Sequence, residues 1–418
     1  MTIIAGIVCE YNPFHNGHLL QINALRQEKG ADAVICAMSG HFLQRGEPSV
    51  VEKDRRVMMA LSSGADLVVE IPALYATRSA YWFALGSVSL LAAAGATHLA
   101  FGAETDDLPS LLVTADRLVN PDSAYAEGLR RFLSAGLSYS EAQAKALNSG
   151  DHRHFVPVLP NDRLALSYLR VILEKELSLT PILIPREGSG YLETGLPEGS
   201  GAPASATAIR KRLQEGVFAY RSKALTIGQL AALGLTEYIP ESALPWLADT
   251  PLVFSRDGEA IQLALLRRAS LDSLQALPDM TEGLEYRVVS AAGKAGSMDE
   301  FYYLMKTKRY TMTRLQRMVT HLTIDYRQAH AAYLREGPPY LRILGANGAG
   351  QQILRRIKKT TAVPVVTRTS QIKTLAKQSA HAAGAWEIEL RATAMRCLLS
   401  GADFSKGNPE YFLSTIMV

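Results

Sequence analysis

The sequence contains few cysteines and no long apolar segment, and both absences limit what the protein can be. Its 418 residues include only Cys9, Cys36 and Cys397, which lie far apart in the chain. This spacing provides neither a disulfide framework nor a zinc site, so we expect small core residues without redox chemistry. The chain has no apolar run of about 18 residues and no secretory signal pattern at its start. We therefore expect a soluble, cytoplasmic protein with no membrane partner.

An excess of charge of one sign is also missing, because 44 lysines and arginines are balanced by 40 aspartates and glutamates, for a net charge of +4. The basic residues are nevertheless unevenly distributed, and their clusters lie after residue 260. They are Arg267-Arg268, Lys306-Thr307-Lys308-Arg309, Arg314, Arg317 and Arg355-Arg356-Ile357-Lys358-Lys359. These clusters predict a polyanion-binding surface in the C-terminal part of the chain.

Apolar runs alternate with helical patterns in the first half of the chain. The strand-like runs are residues 3–9, 33–38, 65–71 and 97–102, and helical patterns cover 54–62 and 81–93. Strands that alternate with helices predict a parallel sheet with crossover helices. We predict an α/β, Rossmann-like domain at residues 1–225. A mostly α-helical region should follow at 226–418, with one small α/β unit between residues 341 and 366.

The most informative motif follows the first strand. It is Glu10-Tyr11-Asn12-Pro13-Phe14-His15-Asn16-Gly17-His18. A helix that begins near Gly17 would offer unpaired N–H groups to phosphate oxygens, and His15 and His18 would share one of its faces. The motif therefore predicts ATP chemistry, in which the two imidazoles stabilise charge on the phosphates. The alternatives are ordinary helix-start histidines or a metal pair, for which no third ligand is obvious.

Together with further motifs, this segment resembles the bacterial tRNA(Met) cytidine acetate ligase family. The N-terminal domain of that family is built like nucleotidyltransferases of the His-x-Gly-His superfamily. The other motifs are Met38-Ser39-Gly40, Gln44-Arg45-Gly46-Glu47-Pro48, Phe101-Gly102-Ala103-Glu104, Pro160-Asn161-Asp162, Arg186 with Gly190-Tyr191, Ser205-Ala206-Thr207-Ala208-Ile209-Arg210, and Lys306-Thr307-Lys308-Arg309-Tyr310-Thr311.

The resemblance implies an enzyme that activates acetate with ATP as acetyl-adenylate. Such an enzyme then acetylates N4 of the wobble cytidine in elongator tRNA(Met), giving N4-acetylcytidine. The implied substrates are ATP, acetate and elongator tRNA(Met), with Mg²⁺ accompanying ATP. Two other functions stay open on the residues alone. One is a nucleotidyltransferase that passes AMP to a small phosphorylated acceptor, and the other is a non-catalytic nucleotide-sensing RNA-binding protein.

The resemblance also implies the residues that contact ATP, with His15 and His18 in the catalytic role. Carried over one by one, they are Gly6, Ile7, Val8, Cys9, Glu10, Tyr11, Asn12, Pro13, Phe14, His15, Asn16, Gly17, His18, Leu19, Gly102, Asn161 and Arg186. The chain departs from the family pattern at Asp162, where a second Asn is common, and at Leu192-Glu193, where His-Asp is common. Roles are therefore not transferred to these neighbours.

Each outlying site residue also has a purely structural interpretation. Gly102 could be a strand exit, Asn161 a helix N-cap, and Arg186 a solvated surface residue. Ser205, Thr207 and Arg210 form a helix-start cluster that resembles that of related nucleotidyltransferases, where such residues meet the β- and γ-phosphates, but Ser205 could equally be a plain cap.

The basic C-terminal segment combines cations with an aromatic side chain. We predict that its members contact tRNA through phosphates and base stacking, although a solvated basic face is the alternative. These predicted tRNA-binding residues are Lys306, Lys308, Arg309, Tyr310, Arg314 and Arg317.

The segment after the second strand carries four further polar side chains, at the predicted catalytic edge of the sheet. They are Gln44, Arg45, Glu47 and Lys53. They could bind acetate or the incoming cytidine, or form a salt-bridge network.

Overall fold

The computed structural model describes residues 2–149, 159–185, 195–196, 204–281, 283–401, 405 and 407–418. The strands are β1 (Ile4–Cys9), β2 (Ala33–Ser39), β3 (Leu67–Ile71), β4 (His98–Ala103), β5 (Thr180–Pro185), β6 (Leu341–Ala346), β7 (Val365–Val366) and β8 (Ile416–Met417).

Helices connect these strands and fill much of the C-terminal half. The first ten are α1 (Asn16–Gln27), α2 (Lys53–Ser62), α3 (Ala73–Ala76), α4 (Ala80–Ala93), α5 (Leu108–Val119), α6 (Ser123–Ser134), α7 (Tyr139–Leu147), α8 (Pro160–Glu174), α9 (Ala206–Tyr220) and α10 (Ile227–Ala232). The next ten are α11 (Leu244–Leu247), α12 (Glu259–Arg268), α13 (Leu271–Gln275), α14 (Leu284–Lys294), α15 (Met298–Met305), α16 (Met312–Thr323), α17 (Gln328–Ala331), α18 (Gly348–Thr360), α19 (Thr369–Gln378) and α20 (Ala380–Ser400).

The strands form one eight-stranded sheet in the order β5-β4-β1-β2-β3-β6-β7, and β8 pairs with β6. The pairs are parallel except for β3 with β6, which is antiparallel. Because β1 lies between β2 and β4, the carboxyl ends of these three strands meet at one edge of the sheet, where open α/β sheets bind ligands. The predicted α/β class with a parallel-dominated sheet is confirmed.

The expected small α/β unit between residues 341 and 366 is present, because β6 and β7 are parallel and α18 connects them, but it is part of the main sheet. Strand β6 pairs with β3 in the main sheet, with Leu67 opposite Ala346. All six residues of β6 are buried, so the strand satisfies its backbone hydrogen bonds inside the body rather than in a small unit of its own.

Alternating strand residues supply two cores, one on each face of the sheet. The first core includes Phe83 of α4 and Trp386 of α20. The second core combines Ile22 of α1 with Leu230 of α10. A third core lies among helices α12 to α16. The first two cores therefore contain residues from both sides of position 225. The predicted domain boundary at 225/226 stays a prediction about function.

The three cysteines are buried and free, which confirms the prediction of core residues. None of the described helices combines the length and the apolar character that crossing a membrane requires.

Candidate active site

The predicted catalytic turn connects β1 to α1 at the carboxyl edge of the sheet. Tyr11 has a positive φ of 47°, and the bond between Asn12 and Pro13 is cis. The Asn12 side-chain oxygen accepts a hydrogen bond from the Val50 N–H at 2.7 Å, and its carbonyl accepts one from Arg210 at 3.1 Å. The turn is therefore held from two other segments of the chain.

The two histidines cap the helix reciprocally. His15 is the N-cap of α1, and its Nδ1 accepts the Gly17 N–H at 3.1 Å. In return, Nδ1 of His18 accepts the His15 N–H at 3.2 Å. The rings stack with centroids 3.7 Å apart. The prediction of a shared face at a helix start is confirmed.

This capping arrangement determines which nitrogen of each ring carries the proton. In a neutral imidazole one nitrogen accepts a hydrogen bond and the other donates one. Because Nδ1 accepts in both His15 and His18, the proton resides on Nε2 in both. Each ring thus carries an Nε2–H group near the N-terminus of α1, and donors of this kind stabilise charge on phosphate oxygens.

Aromatic packing holds the imidazoles in place. The rings of Tyr11 and Phe14, both buried, contact the His18 ring at centroid distances of 4.9 and 5.5 Å. The Tyr11 hydroxyl lies 3.3 Å from the Cys36 sulfur, and burial raises the pKa of Tyr11 well above its ordinary value. The donors are thus oriented before any ligand arrives, which is the condition for electrostatic preorganisation.

The first residues of the implied ATP-binding segment lie inside the sheet, in β1. Gly6, Ile7 and Cys9 are buried in β1, and a Cβ on Gly6 would lie 3.0 Å from the Leu91 side chain. The close packing of β1 on α4 therefore accounts for Gly6 without a ligand. Residues 11–15 are buried as well, and the partly exposed residues of the turn are Glu10, Asn16, Gly17, His18 and Leu19.

A buried arginine ties together the strand ends around the turn. Arg56 of α2 donates to the carbonyls of Glu10 at 2.8 Å, Ser39 at 2.9 Å and Val51 at 3.1 Å, and also to that of Gly40. Burial lowers its pKa to about 10, which leaves the guanidinium charged at neutral pH. The role of Arg56 is not visible in the sequence, because an arginine in an amphipathic helix carries no sign of its burial.

Asn161 and Gly102 lie near the end of β4. The Asn161 side chain donates to Glu104 at 2.6 Å, and the Asp162 N–H donates to the same carboxylate at 2.9 Å. Asp162 in turn accepts the Glu104 N–H at 2.9 Å. The N-cap of α8 is Leu159, so the interpretation of Asn161 as an N-cap is wrong. Gly102 is half-buried in β4, and its ATP contact and that of Asn161 stay predictions.

The start of α9 lies against the catalytic turn. Ser205 is its N-cap and accepts the Ala208 N–H at 3.1 Å, as the structural alternative expected. The Thr207 hydroxyl accepts from Arg210 at 3.2 Å, and Arg210 reaches the Asn12 carbonyl. The phosphate contacts of Ser205 and Thr207 stay predictions. Arg186 lies outside the described residues.

The polar side chains after β2 separate into two groups. Near the turn, the Gln44 N–H donates to the Glu10 carboxylate at 2.7 Å, and Glu47 lies 3.6 Å from Arg210. Burial raises the pKa of Glu10, and the nearby Glu47 charge adds to the shift. Lys53 is not accessible at the edge, because its side chain is 2% exposed. Of the two alternatives for Lys53, the contact with acetate or cytidine is therefore wrong, and the salt-bridge network is confirmed.

Lys53 belongs instead to a buried ionic cluster, which we define as Lys53, Glu70, Arg342, Glu389 and Glu410. The Lys53 ammonium lies 2.5 Å from Glu70, 3.3 Å from Glu389 and 3.0 Å from Glu410. Arg342 lies 2.9 Å from Glu70 and also pairs with Glu410.

The glutamates of the cluster differ in their pKa values. Burial and the neighbouring Glu70 carboxylate raise the pKa of Glu389 to about 8. Burial would also raise the pKa of Glu410, but Arg342 and Lys53 lower it to about 2. Within the described part of the chain, these three glutamates are the one group spaced to hold a metal ion, and the two cations already fill that space. The cluster does not fit a resident metal.

The predicted tRNA-binding residues also separate into two groups. Lys306, Lys308 and Arg309 are exposed between α15 and α16. Tyr310 is only 9% exposed and packs in the third core, with the Arg314 guanidinium 5.1 Å from its ring centre. Base stacking on Tyr310 is therefore wrong.

Of the remaining two cations of that set, Arg314 is bonded to the protein body and Arg317 is partly buried. Arg314 donates to the Asp279 carbonyl at 3.0 Å and to the Thr281 hydroxyl at 3.1 Å. Burial lowers the pKa of Arg317 to about 10. An aromatic side chain that the sequence analysis missed is Tyr303 of α15, which is 81% exposed just before the exposed cations.

Comparisons with known proteins agree with this arrangement. Residues 1–408 match the family described as HIGH Nucleotidyl Transferase. The tRNA(Met) cytidine acetate ligase of Syntrophomonas wolfei is 38% identical over 381 residues, which cover 88% of this chain and 88% of that protein. The enzyme of the same name from Clostridium perfringens is 32% identical and covers 99% of both chains.

Two crystal structures share the fold over the full length of both chains. TmcAL of Thermotoga maritima in its apo form is 27% identical to this chain, with a TM-score of 0.90. The same protein bound with alpha-thio ATP is 26% identical to this chain, with a TM-score of 0.87.

Proposed function

This chain belongs to the tRNA(Met) cytidine acetate ligase family, and we propose that it uses ATP and acetate to acetylate N4 of the wobble cytidine in elongator tRNA(Met). The observation that carries the proposal is the pair of stacked imidazoles, which present Nε2–H donors beside the N-terminus of α1. The chemistry requires ATP, because free acetate is a poor electrophile and the cytosine amine is a poor nucleophile.

The first step joins acetate to the α-phosphate of ATP. An acetate oxygen attacks the α-phosphorus, the bond to the β-phosphate bridging oxygen breaks, and pyrophosphate leaves with the electron pair. The product is acetyl-adenylate, a mixed anhydride. His15, His18 and the N-terminal N–H groups of α1 stabilise the negative charge that builds up on the phosphate oxygens. The start of α9, with Ser205 and Thr207, and the residues Gly102, Asn161 and Arg186 complete the proposed ATP site.

The second step transfers the acetyl group. The wobble N4 amine attacks the acetyl carbon, the bond from that carbon to the AMP oxygen breaks, and AMP leaves while the amine releases a proton. Both reactants are bound, so proximity supplies much of the acceleration.

The exposed cations Lys306, Lys308 and Arg309 are the proposed phosphate contacts of the tRNA. Tyr303 replaces Tyr310 as the aromatic side chain available to an unpaired base, because its ring is exposed on the preceding helix. The wobble base lies in a single-stranded loop, so its recognition requires little unstacking.

We propose that Mg²⁺ binds as the counter-ion of ATP rather than as a resident ion. Among the described residues, one cluster of three glutamates has a spacing suitable for a metal ion, and Lys53 and Arg342 already occupy the space between them. We place the reaction in the cytoplasm, where tRNA and ATP are available.

The test is incubation of the protein with ATP, labelled acetate and total bacterial tRNA, followed by nuclease digestion and mass analysis of the nucleosides. We expect label in N4-acetylcytidine that depends on ATP. Unlabelled tRNA with pyrophosphate release that depends on a phosphorylated metabolite would identify a nucleotidyltransferase instead. Binding of ATP and tRNA without turnover of either would identify a sensor.

A further inference from the structure

A short hairpin lies between the nucleotide site and the proposed tRNA surface. It comprises residues 41–49, which follow β2, and Phe42 pairs with Pro48 across it. At its tip, the Leu43 N–H donates to the Glu47 carbonyl and the Gly46 N–H to the Leu43 carbonyl, both at 2.9 Å. These bonds make the tip a compact turn.

One side of the hairpin is bonded to the catalytic turn. The Gln44 N–H donates to the Glu10 carboxylate at 2.7 Å. Glu47 lies 3.6 Å from Arg210, which itself donates to the Asn12 carbonyl at 3.1 Å. These contacts hold this side of the hairpin against Glu10 and Asn12, at the start of the turn.

The other side of the hairpin packs directly on α16, the helix that follows the exposed cations. Gly46 has a φ of +80°, and a Cβ built on it would lie 2.5 Å from the backbone nitrogen of Arg317 and 2.5 Å from the carbonyl carbon of Gln316. Contacts this short with backbone atoms cannot be relieved by rotating a side chain. Only glycine allows the two backbones to approach this closely.

A second connection runs in parallel to the Gly46 contact. The Gln44 side chain donates to the Arg78 carbonyl at 3.2 Å, and the Arg78 guanidinium lies 3.2 Å from the Asp279 carboxylate. The Asp279 carbonyl accepts from Arg314 of α16 at 3.0 Å. The hairpin and α16 are thus joined at Gly46 and again through Arg78 and Asp279.

We infer that this hairpin sets the distance between the acetyl-adenylate and the tRNA held on the α15–α16 surface, and that Gly46 is its positioning residue. The inference rests on the proposed function. Acyl transfer requires the amine and the acetyl carbon in near-attack geometry, and a misplacement of about 1 Å costs about 100-fold in rate. The first step involves no tRNA, so it does not depend on this distance.

The variant Gly46→Ala separates the two steps. Acetate-dependent exchange of pyrophosphate into ATP reports adenylate formation, and single-turnover acetylation of tRNA reports transfer. We expect exchange within about twofold of the unchanged protein and transfer slower by about 10- to 100-fold. The KM for tRNA should change little, because the exposed cations stay in place.

Gly136→Ala is the matched control for backbone strain. Gly136 has a φ of +82°, close to that of Gly46, but nothing lies within 4 Å of its added Cβ. It should leave the ratio of transfer to exchange unchanged. A second test variant, Asp279→Asn, removes the ion pair with Arg78 and keeps a residue type that tolerates the φ of 61° found there. We expect it to slow transfer relative to exchange, by less than Gly46→Ala.

Equal loss of exchange and transfer in Gly46→Ala would overturn the inference, because it would show that the hairpin supports the whole site. Unchanged transfer in both variants would overturn it as well. If Gly46→Ala does not fold, Asp279→Asn decides alone. A failure of the proposed function looks different, because the unchanged protein would then show no acetylation of tRNA.

Discussion

The catalytic turn and the buried ionic cluster are both groups of polar side chains, but their partners lie at very different separations along the chain. In the turn, His15 bonds to Gly17 and His18, two and three residues away. In the cluster, Lys53 meets Glu70 after 17 residues, and it meets Glu389 and Glu410 after 336 and 357. The reciprocal cap of the two histidines joins near neighbours in the chain, whereas the cluster forms only when segments from both halves of the chain have docked.

This difference suggests a difference in role. The turn lies at an open edge and presents donors to a ligand, so its loss should affect chemistry more than stability. The cluster is inaccessible and joins α2, β3, β6 and α20, so its loss should affect stability more than chemistry. The predictions below test that division.

The largest effect is expected from Lys53→Met, which keeps the shape of the side chain and removes its charge. Three buried carboxylates would then face Arg342 alone, and breaking a buried ionic group in this way costs about 3–5 kcal/mol. We expect a much lower midpoint of urea unfolding. Lys29→Met, at an exposed position, is the control and should leave the midpoint unchanged. Equal midpoints for the two variants would contradict a stabilising role of the cluster.

In contrast to Lys53→Met, His18→Ala should lower the reaction rate and leave the stability nearly unchanged. It removes one ring N–H donor from the phosphate site, and loss of one such donor costs about 100- to 1000-fold in rate. Acetate-dependent pyrophosphate exchange measures this loss, while the unfolding midpoint should stay near that of the unchanged protein. His18→Gln restores a side-chain N–H and should recover part of the rate. Full exchange activity in His18→Ala would refute the assignment.

Replacement of the three exposed cations by glutamine tests the proposed tRNA surface. These cations are close neighbours in the sequence and lie together between α15 and α16. The changed residues are Lys306, Lys308 and Arg309. We expect weaker tRNA binding and a salt dependence whose slope falls by about 1 for each lost phosphate contact, with unchanged pyrophosphate exchange.

The matched control removes three exposed cations from α6 and α7, namely Arg130, Arg131 and Lys145. It keeps the same change in net charge, so an equal loss of tRNA affinity would indicate a general charge effect rather than a defined surface.

A pH effect is expected from Glu389, whose pKa is raised to about 8 by burial and by Glu70. Above the ordinary glutamate pKa the folded protein holds a proton that the unfolded chain releases, so stability falls as pH rises toward 8. The slope is at most about 1.4 kcal/mol per pH unit. Unfolding midpoints measured from pH 5 to 8 should fall for the unchanged protein and fall less for Glu389→Gln. Parallel curves would contradict the shifted pKa.

The smallest effect is expected from Tyr303→Ala. Loss of one stacking platform weakens binding of an unpaired base by about 1 kcal/mol or more, so the KM for tRNA should rise about fivefold. Phe218→Ala is the control, because Phe218 is 80% exposed on α9, where no tRNA contact is proposed. A similar rise in both variants would show that exposed aromatics in general, rather than Tyr303, affect the measurement.

Individual residues show which features can be predicted from the sequence and which cannot. The reciprocal capping of His15 and His18 depends on a spacing of three residues, and that spacing is visible in the sequence. The basic run at 306–309 was equally visible, yet the burial of Tyr310 beside it was not. A residue type indicates what a side chain can contact, whereas its burial depends on which helices pack around it.

Lys53, Arg56 and Glu104 illustrate the same limit at the catalytic edge. Each has an ordinary surface interpretation in the sequence, and each is bonded to a segment that is distant in the chain. Such pairings carry no periodic signal, because only the docking of one element on another brings the partners together.

The sequence by itself determined the parallel α/β class, the strand that leads into the histidine turn, the core cysteines and the basic character of the C-terminal half. These features follow from period, composition and short spacing, which act within a few residues. Only the tertiary structure decided that β6 pairs with β3, that Lys53 is enclosed by Glu70, Glu389 and Glu410, and that Gly46 lies on α16. The physical reason is that these contacts join segments far apart in the chain, whose approach is governed by burial of the shared cores rather than by local conformational preference.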